Sequence, residues 1–284
     1  MPEISVIIVS WNVEEALARN LERLLSLPCR VGCEVIVVDN GSHDATPRMV
    51  RARFPNIQLI QNERNRGFAF ACNQGLKVAR GEVLVLCNPD MLVGEGVVDH
   101  TYNLLNARRD IGVLGVRLTS QDGSVVKSVR RDPRLLDQLA ILLKLARVFP
   151  RLTRRYIAHE FDYARSQEVE QVRGSYFAFR RDVLEAVGMF DAERFFLWFE
   201  EVDFCRRVRE AGYRVWYSAE VSCTDLVGRS FAQQPLALKQ ARFSRSMAAY
   251  FFKWHPRWQG WLVLLLRPFV ITSAWVVGVF RPKL

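Results

Sequence analysis

The sequence lacks both glycine signatures that most simply explain a chain of alternating strands and helices. After the first apolar run comes Ser10-Trp11-Asn12-Val13-Glu14-Glu15, with no Gly-x-Gly-x-x-Gly to draw a dinucleotide pyrophosphate onto a helix N-terminus, and no Gly-Lys-Ser/Thr loop occurs anywhere. Nicotinamide-type and phosphate-loop chemistry are thereby excluded. The same Trp11-Asn12-Val13-Glu14 offers no glycine-rich basic loop for a triphosphate, which argues against a sugar nucleotidyltransferase. Cys-x-x-Cys pairs are absent; Cys29, Cys33, Cys72, Cys87, Cys205 and Cys223 are scattered through core-like segments and read as reduced, buried thiols. No basic n-region or small-residue cleavage site follows Met1-Pro2-Glu3, so export is not expected. Acid is also missing from one region. From Leu226 to Leu284 there are nine Lys or Arg and no Asp or Glu, so that segment carries nearly all of the formal net charge of +10. Arg130 to Arg155 holds eight more basic residues against Asp132 and Asp137, leaving a mildly acidic body with two basic segments. Nucleic acid, an anionic membrane surface and a phosphorylated substrate all fit this charge pattern.

What is present is an ordinary globular composition, 50% apolar over 284 residues, enough for a sizeable core. Ile4 to Val9 is a continuous β-branched run, as in a strand buried on both faces. Helical spacing over 13–27, a strand at Glu34 to Val38, a helix capped by Asp44, a strand at Ile57 to Ile60, a helix from Gly67 to Val78 and a strand at Val83 to Leu86 follow. This alternation predicts an α/β fold with a mostly parallel central sheet flanked by helices. The second half reads as a hairpin (112–119 with 124–129), a helix over Leu135 to Val148, a strand at Val172 to Phe179, helices at Asp182 to Val187 and Glu200 to Ala211, and a strand at Tyr213 to Tyr217. There is no repeat or low-complexity linker, so 1–116 and 117–235 are expected to be two lobes of one core, with 236–284 as a basic, apolar helical tail.

In parallel sheets ligands sit beyond the carboxyl ends of the strands. Here those ends carry Ser10-Trp11-Asn12, Asp39-Asn40-Gly41-Ser42, Asn62 with Asn65 and Gly67, and Asn88-Pro89-Asp90. Each is also a good turn sequence, and only their recurrence points to a shared crevice. Asp90, after a buried strand and a rigid Asn-Pro, can ligate a hard divalent cation, Mg²⁺ or Mn²⁺, alongside substrate phosphates; a turn role is the plainer alternative. In Phe195-Phe196-Leu197-Trp198-Phe199-Glu200-Glu201-Val202-Asp203 the three acids suit a helix N-terminus. They also follow five apolar residues, a setting that can raise a carboxyl toward general-base duty, and composition does not choose between the two.

Taken in order, Ser5-Val6-Ile7-Ile8-Val9-Ser10-Trp11-Asn12, Val37-Val38-Asp39-Asn40-Gly41-Ser42, Asn65-Arg66-Gly67-Phe68, Cys87-Asn88-Pro89-Asp90 and Gly188-Met189-Phe190-Asp191 leading into Phe199-Glu200-Glu201-Val202-Asp203 resemble the inverting glycosyltransferases of family 2, of the GT-A fold, and their rhamnosyltransferase-like members. The resemblance implies that Ser10, Asn12, Asp39, Asn65, Gly67 and Asn88 hold a nucleotide diphosphate sugar. It implies that Asp90 binds the divalent cation, with Asn88 in place of the first acid of an Asp-x-Asp motif, and that Asp225 joins it where many relatives have His. Glu201 then stands where the family has its catalytic base, usually Asp, with Trp198, Glu200 and Asp203 forming the wall around it and Glu200 or Asp203 as fallback bases. A saccharide or lipid-linked saccharide acceptor and a role in cell-envelope polysaccharide synthesis are implied with it.

The tail alternates basic and aromatic residues, a pattern that can bind single-stranded nucleic acid. Trp261 to Phe280 then runs 20 residues with only Arg267 charged and Pro268 beside it, which argues for a membrane instead. An interfacial or re-entrant hairpin is favoured over a span, with a packed core helix as the plainer alternative. The expectation is a cytoplasmic enzyme, peripheral at the inner face of the membrane and bound to its anionic surface, with no nucleic acid partner. The rival reading is a catalytically impaired scaffold that binds nucleotide sugar and membrane.

Overall fold

The computed structural model describes residues 2–226 and 234–280. Residues 227–233 and 281–284, the latter holding two of the nine basic residues counted after Leu226, lie outside the described residues.

The β-branched run becomes β1 (Ile4–Ser10), buried along its whole length. It lies between β2 (Cys33–Asp39) and β4 (Val83–Cys87), with β3 (Gln58–Gln61) beyond β2, all four parallel. The crossovers are α1 (Glu14–Ser26), α2 (Thr46–Arg53) and α3 (Phe68–Val78). Register places Ser10 opposite Asp39 and Asp39 opposite Gln61, so the polar residues after these strands emerge along one edge. Alternate side chains of β1 enter different cores: Ile7 and Val9 join Leu84, Phe177 and Phe204, while Ile4, Val6 and Ile8 join Leu17, Val85 and Leu114. Covering both faces removes the solvent-side penalty that a continuous apolar strand would otherwise carry.

Beyond β4 the sheet is mixed. It continues with β5 (Met91–Val93), α4 (Val97–Ala107), β6 (Ile111–Thr119), the short β7 (Val129–Arg130), α5 (Leu135–Leu142), β8 (Gln167–Val169), β9 (Gln171–Val172), β10 (Tyr176–Arg180), α6 (Arg181–Val187), α7 (Glu200–Glu210) and β11 (Arg214–Asp225). The order across the sheet is β3-β2-β1-β4-β10-β6-β11-β5, with β8 also on β11. β10 runs antiparallel between β4 and β6, and β11 runs parallel to β6.

Several local readings change. The 112–119/124–129 hairpin reduces to a bridge between Thr119 and Val125, because β10 and β11 already occupy both edges of β6, and β7 pairs with β9 instead. The helix expected to reach Val148 stops before Lys144, which is left-handed at φ 62°, and a 3₁₀ turn leaves Val148 and Phe149 exposed. The strand expected over 172–179 is interrupted by Arg173-Gly174-Ser175, and the one at 213–217 runs on through a register break after Ser218 to Asp225. Cys29 and Cys33 are exposed, since both flank the surface loop between α1 and β2; the other four cysteines are buried as expected.

The tail folds into α8 (Leu236–Trp254) and α9 (Arg257–Phe280), one uninterrupted helix through Pro268. Met247, Tyr250, Phe251 and Val263 form a third core with Phe195, Phe199, Val202 and Leu142.

Candidate active site

The cleft lies at the carboxyl edge of β1, β2 and β4. β10 enters beside β4 so that the Asn88 amide donates to the Ser175 carbonyl at 2.9 Å. β11 pairs Asp225 with Met91, and the Leu226 amide donates to the Asp90 carbonyl at 2.9 Å, which sets the two aspartates on neighbouring strand ends. Of the residues singled out by sequence, Ser10, Asn65, Asn88, Asp90, Trp198, Glu200, Glu201 and Asp225 line this one cleft.

Asn12, Asp39 and Gly67 are not among the residues that line it. Asn12, left-handed at φ 52°, accepts from the His43 amide at 2.7 Å through its Oδ1. Asp39 accepts from the Ser42 amide at 3.1 Å, while its other oxygen and the Ser10 hydroxyl are buried with no partner among the described residues. Such orphaned polar atoms are costly unless a ligand meets them. Gly67 has φ 94°, and a Cβ there would lie 2.6 Å from the Phe196 carbonyl, so only glycine lets the 195–199 loop close onto the first lobe. Asp203 is not brought to the cleft. It is fully buried and accepts from Arg207 at 2.9 Å, the Trp254 indole at 2.8 Å and Lys253 at 2.7 Å, a set of partners that makes it a structural anchor.

Three cleft residues were given no role in the sequence reading. Asn40 donates to Asn65 Oδ1 (3.2 Å) and the Gly67 carbonyl (3.1 Å) and accepts from the Arg66 amide (3.0 Å) and Asn62 (3.1 Å), using its full capacity to hold the Asn65–Gly67 turn. Arg173 places Nη1 3.3 Å from Asp225 Oδ2. Its signal was a basic residue directly before a Gly-Ser pair at a strand start. Arg242, from α8, reaches the same cleft.

The aromatic loop is what presents the acids. Trp198 and Phe199 are both left-handed, at φ 64° and 68°, a conformation costing about 1–3 kcal/mol per non-glycine residue. α8 holds it: the Ser246 hydroxyl donates to the Leu197 carbonyl at 2.8 Å, Phe243 meets the Trp198 ring at 5.7 Å, and Tyr250 meets Phe199 at 5.4 Å. Glu200 and Glu201 then begin α7 side by side. Burial pushes both carboxyls up; the adjoining Glu201 raises Glu200 further, whereas backbone amides and Arg173 counter the rise at Glu201.

Residues 5–188 match the family model described as Glycosyl transferase family 2. The chain belongs to glycosyl transferase family 2. It is 30% identical over 234 residues, 77% of this chain and 75% of the relative, to an N-acetylglucosaminyl-diphospho-decaprenol L-rhamnosyltransferase of Mycobacterium tuberculosis. The low-salt glycan biosynthesis hexosyltransferase Agl10 of Haloferax volcanii is 23% identical over 88% of this chain and 73% of its own. Among solved structures, the mannosyltransferase PcManGT of Pyrobaculum calidifontis, in complex with GDP-Man and Mn²⁺, superposes with TM-score 0.60 at 20% identity, covering 100% of this chain and 76% of that one. TarS of S. aureus in complex with UDP gives TM-score 0.59 at 17% identity, covering 99% and 76%. The GT-A fold and glycosyltransferase activity read from the motifs stand.

In this family 2 glycosyltransferase the buried Glu200 has a measurable cost. Its carboxyl is raised from the ordinary 4.5, so the folded state prefers the proton; its contribution to stability is complete below 4.5 and is lost as pH rises through the raised value. Glu200→Gln, which cannot ionise, should gain in Tm over wild type progressively from pH 5 to pH 8. A Tm difference that stays flat or shrinks over that range would show that Glu200 is not held protonated.

Proposed function

We propose that the chain is an inverting transferase that moves a sugar, L-rhamnose on the likeness to the mycobacterial relative, from a nucleotide diphosphate sugar to a hydroxyl of a lipid-linked saccharide in cell-envelope polysaccharide synthesis. The observation that carries this reading is that Glu201 opens into the same cleft as Asp90 and Asp225, beyond the ends of the parallel strands. Ser10 and Asp39 supply unspent hydrogen-bonding atoms for the nucleotide. Glu201 takes the proton of the acceptor hydroxyl as that oxygen attacks the anomeric carbon, and a single in-line displacement inverts the centre.

Asp90 and Asp225 offer hard oxygen atoms on adjacent strand ends, a set that fits Mg²⁺ or Mn²⁺. Among the described residues no group of three or more His, Cys, Asp or Glu is assembled, so a cation here would take its remaining ligands from the donor diphosphate and water. When bound it supplies charge neutralisation for the departing diphosphate.

Membrane attachment belongs to the same reading. α9 is long and apolar enough to cross a membrane, yet only 17% of that stretch is buried within the protein. Arg267 is accommodated by donating to Ser244 Oγ at 3.2 Å and the Ala241 carbonyl at 3.3 Å on α8, while Trp258, Trp261, Leu265 and Phe269 form an exposed stripe at helical spacing. The other basic segment meets this hairpin, with Lys144 3.4 Å from Gln240 and Val148 and Phe149 exposed beyond it. A helical hairpin lying on the anionic inner surface of the membrane, from the cytoplasmic side, fits these features.

The test is transfer by the full chain against a panel of nucleotide sugars with Mg²⁺, Mn²⁺ or EDTA. Turnover of one donor should depend on the cation and fall at least a hundredfold in Asp90→Ala, with the product anomer inverted. Undiminished transfer in EDTA and in Asp90→Ala would overturn the metal-assisted mechanism.

A further inference from the structure

We propose that Arg242 binds the diphosphate of the lipid-linked acceptor, with the lipid chain laid along the exposed apolar face of α9. The inference rests on the transferase reading above and names the acceptor chemistry that the cleft selects.

Arg242 comes from the tail, not from either lobe of the sheet, yet it lines the cleft together with Trp198, Glu200 and Glu201. Its guanidinium stacks over the Phe196 ring at 4.5 Å, and Nη1 donates to Gln234 Oε1 at 2.8 Å. Among the described residues no carboxylate pairs with it, although burial disfavours its charge. A guanidinium brought from water to an aromatic wall without a counter-ion is an incomplete arrangement, and its planar fork matches a phosphate oxygen pair. Arg173, the other cationic side chain lining the cleft, is instead paired with Asp225.

Arg267 of α9 donates to the carbonyl of Ala241, so the turn carrying Leu265 and Phe269 lies level with Arg242. Those two side chains are 76% and 66% exposed. An amphiphile whose sugar reaches Glu201 would place its diphosphate at Arg242 and wrap its apolar chain onto the outward face of α9 at the same height. The tail then both anchors the enzyme and reads the charged junction of the substrate.

Binding of farnesyl diphosphate, farnesol and a nucleoside diphosphate panel (UDP, dTDP, GDP) to the full chain, followed by calorimetry, tests this directly. Farnesyl diphosphate should bind at least tenfold tighter than farnesol. Arg242→Gln should remove at least tenfold of that affinity while leaving farnesol and the nucleoside diphosphate within twofold, and Arg242→Lys should restore only part of it. Arg245→Gln, equal in charge change on the same helix, should lose less than threefold. Equal losses in Arg242→Gln and Arg245→Gln would mean a general field effect and overturn the proposal. A loss of nucleoside diphosphate binding instead would assign Arg242 to the donor and also overturn it. Nucleoside diphosphate bound with no affinity for farnesyl diphosphate sinks this inference alone; binding of no nucleoside diphosphate sinks the transferase reading beneath it.

Discussion

Glu201→Gln is expected to lower kcat by roughly a thousandfold while leaving donor affinity nearly unchanged, the loss ordinarily seen when a positioned general base is removed. The amide keeps the shape of the side chain and cannot take the acceptor proton. The pH dependence gives an independent check. Burial raises the Glu201 carboxyl above its ordinary 4.5, and catalysis needs the ionised form, so the acid limb of kcat/KM should lie above that value. Arg173 favours the charged carboxylate; Arg173→Gln should move the limb further toward neutral pH. A wild-type profile flat down to pH 4, or a Glu201→Gln variant with near-normal kcat, would take the base role away from Glu201. Transfer of that role to Asp203 is not open, since its carboxylate is spent on Arg207, Lys253 and Trp254.

The parts of the molecule that were legible in sequence share one physical property: their signal is local. β1, β2 and β4 announce themselves as β-branched runs because both faces are buried, and the polar residue at each strand end follows directly in the chain. Asp90 was placed at the cleft edge for that reason, whereas Glu201, at a helix start, was singled out by the resemblance. What was not legible depends on pairing between distant segments. β10 enters between β4 and β6, taking the edge a local hairpin would have used and setting Ser175 against Asn88. The extension of β11 to Asp225 needs a register break that no residue pattern at 213–217 announces. Asp203 looked like a third member of an acidic cluster, and its partners, Trp254 and Lys253, lie some fifty residues away. Arg242 was visible only as one basic residue among nine in the tail.

The same long-range packing changes what removal of the tail should do. A chain ending before Leu236 is expected to be insoluble or unfolded, not merely released from a membrane. Met247, Tyr250, Phe251 and Val263 are fully buried. At about 1.5–3 kcal/mol for each such side chain, four of them match the usual stability margin of a domain, about 5–15 kcal/mol. Their loss would expose Phe195 and Phe199, release the left-handed turn before Glu200, and strip two partners from the buried Asp203 carboxylate. Truncation therefore cannot separate anchoring from catalysis, and substitutions on the exposed stripe can. Replacing Trp258, Trp261, Leu265 and Phe269 together by Ser should lower co-flotation with vesicles containing a third of anionic lipid at least tenfold, with UDP binding and Tm close to wild type. Undiminished flotation of that variant would remove the membrane from the proposed function. A soluble, donor-binding chain of 1–235 would show instead that α8 is dispensable to the aromatic loop, and with it the claim that this helix is part of the active site.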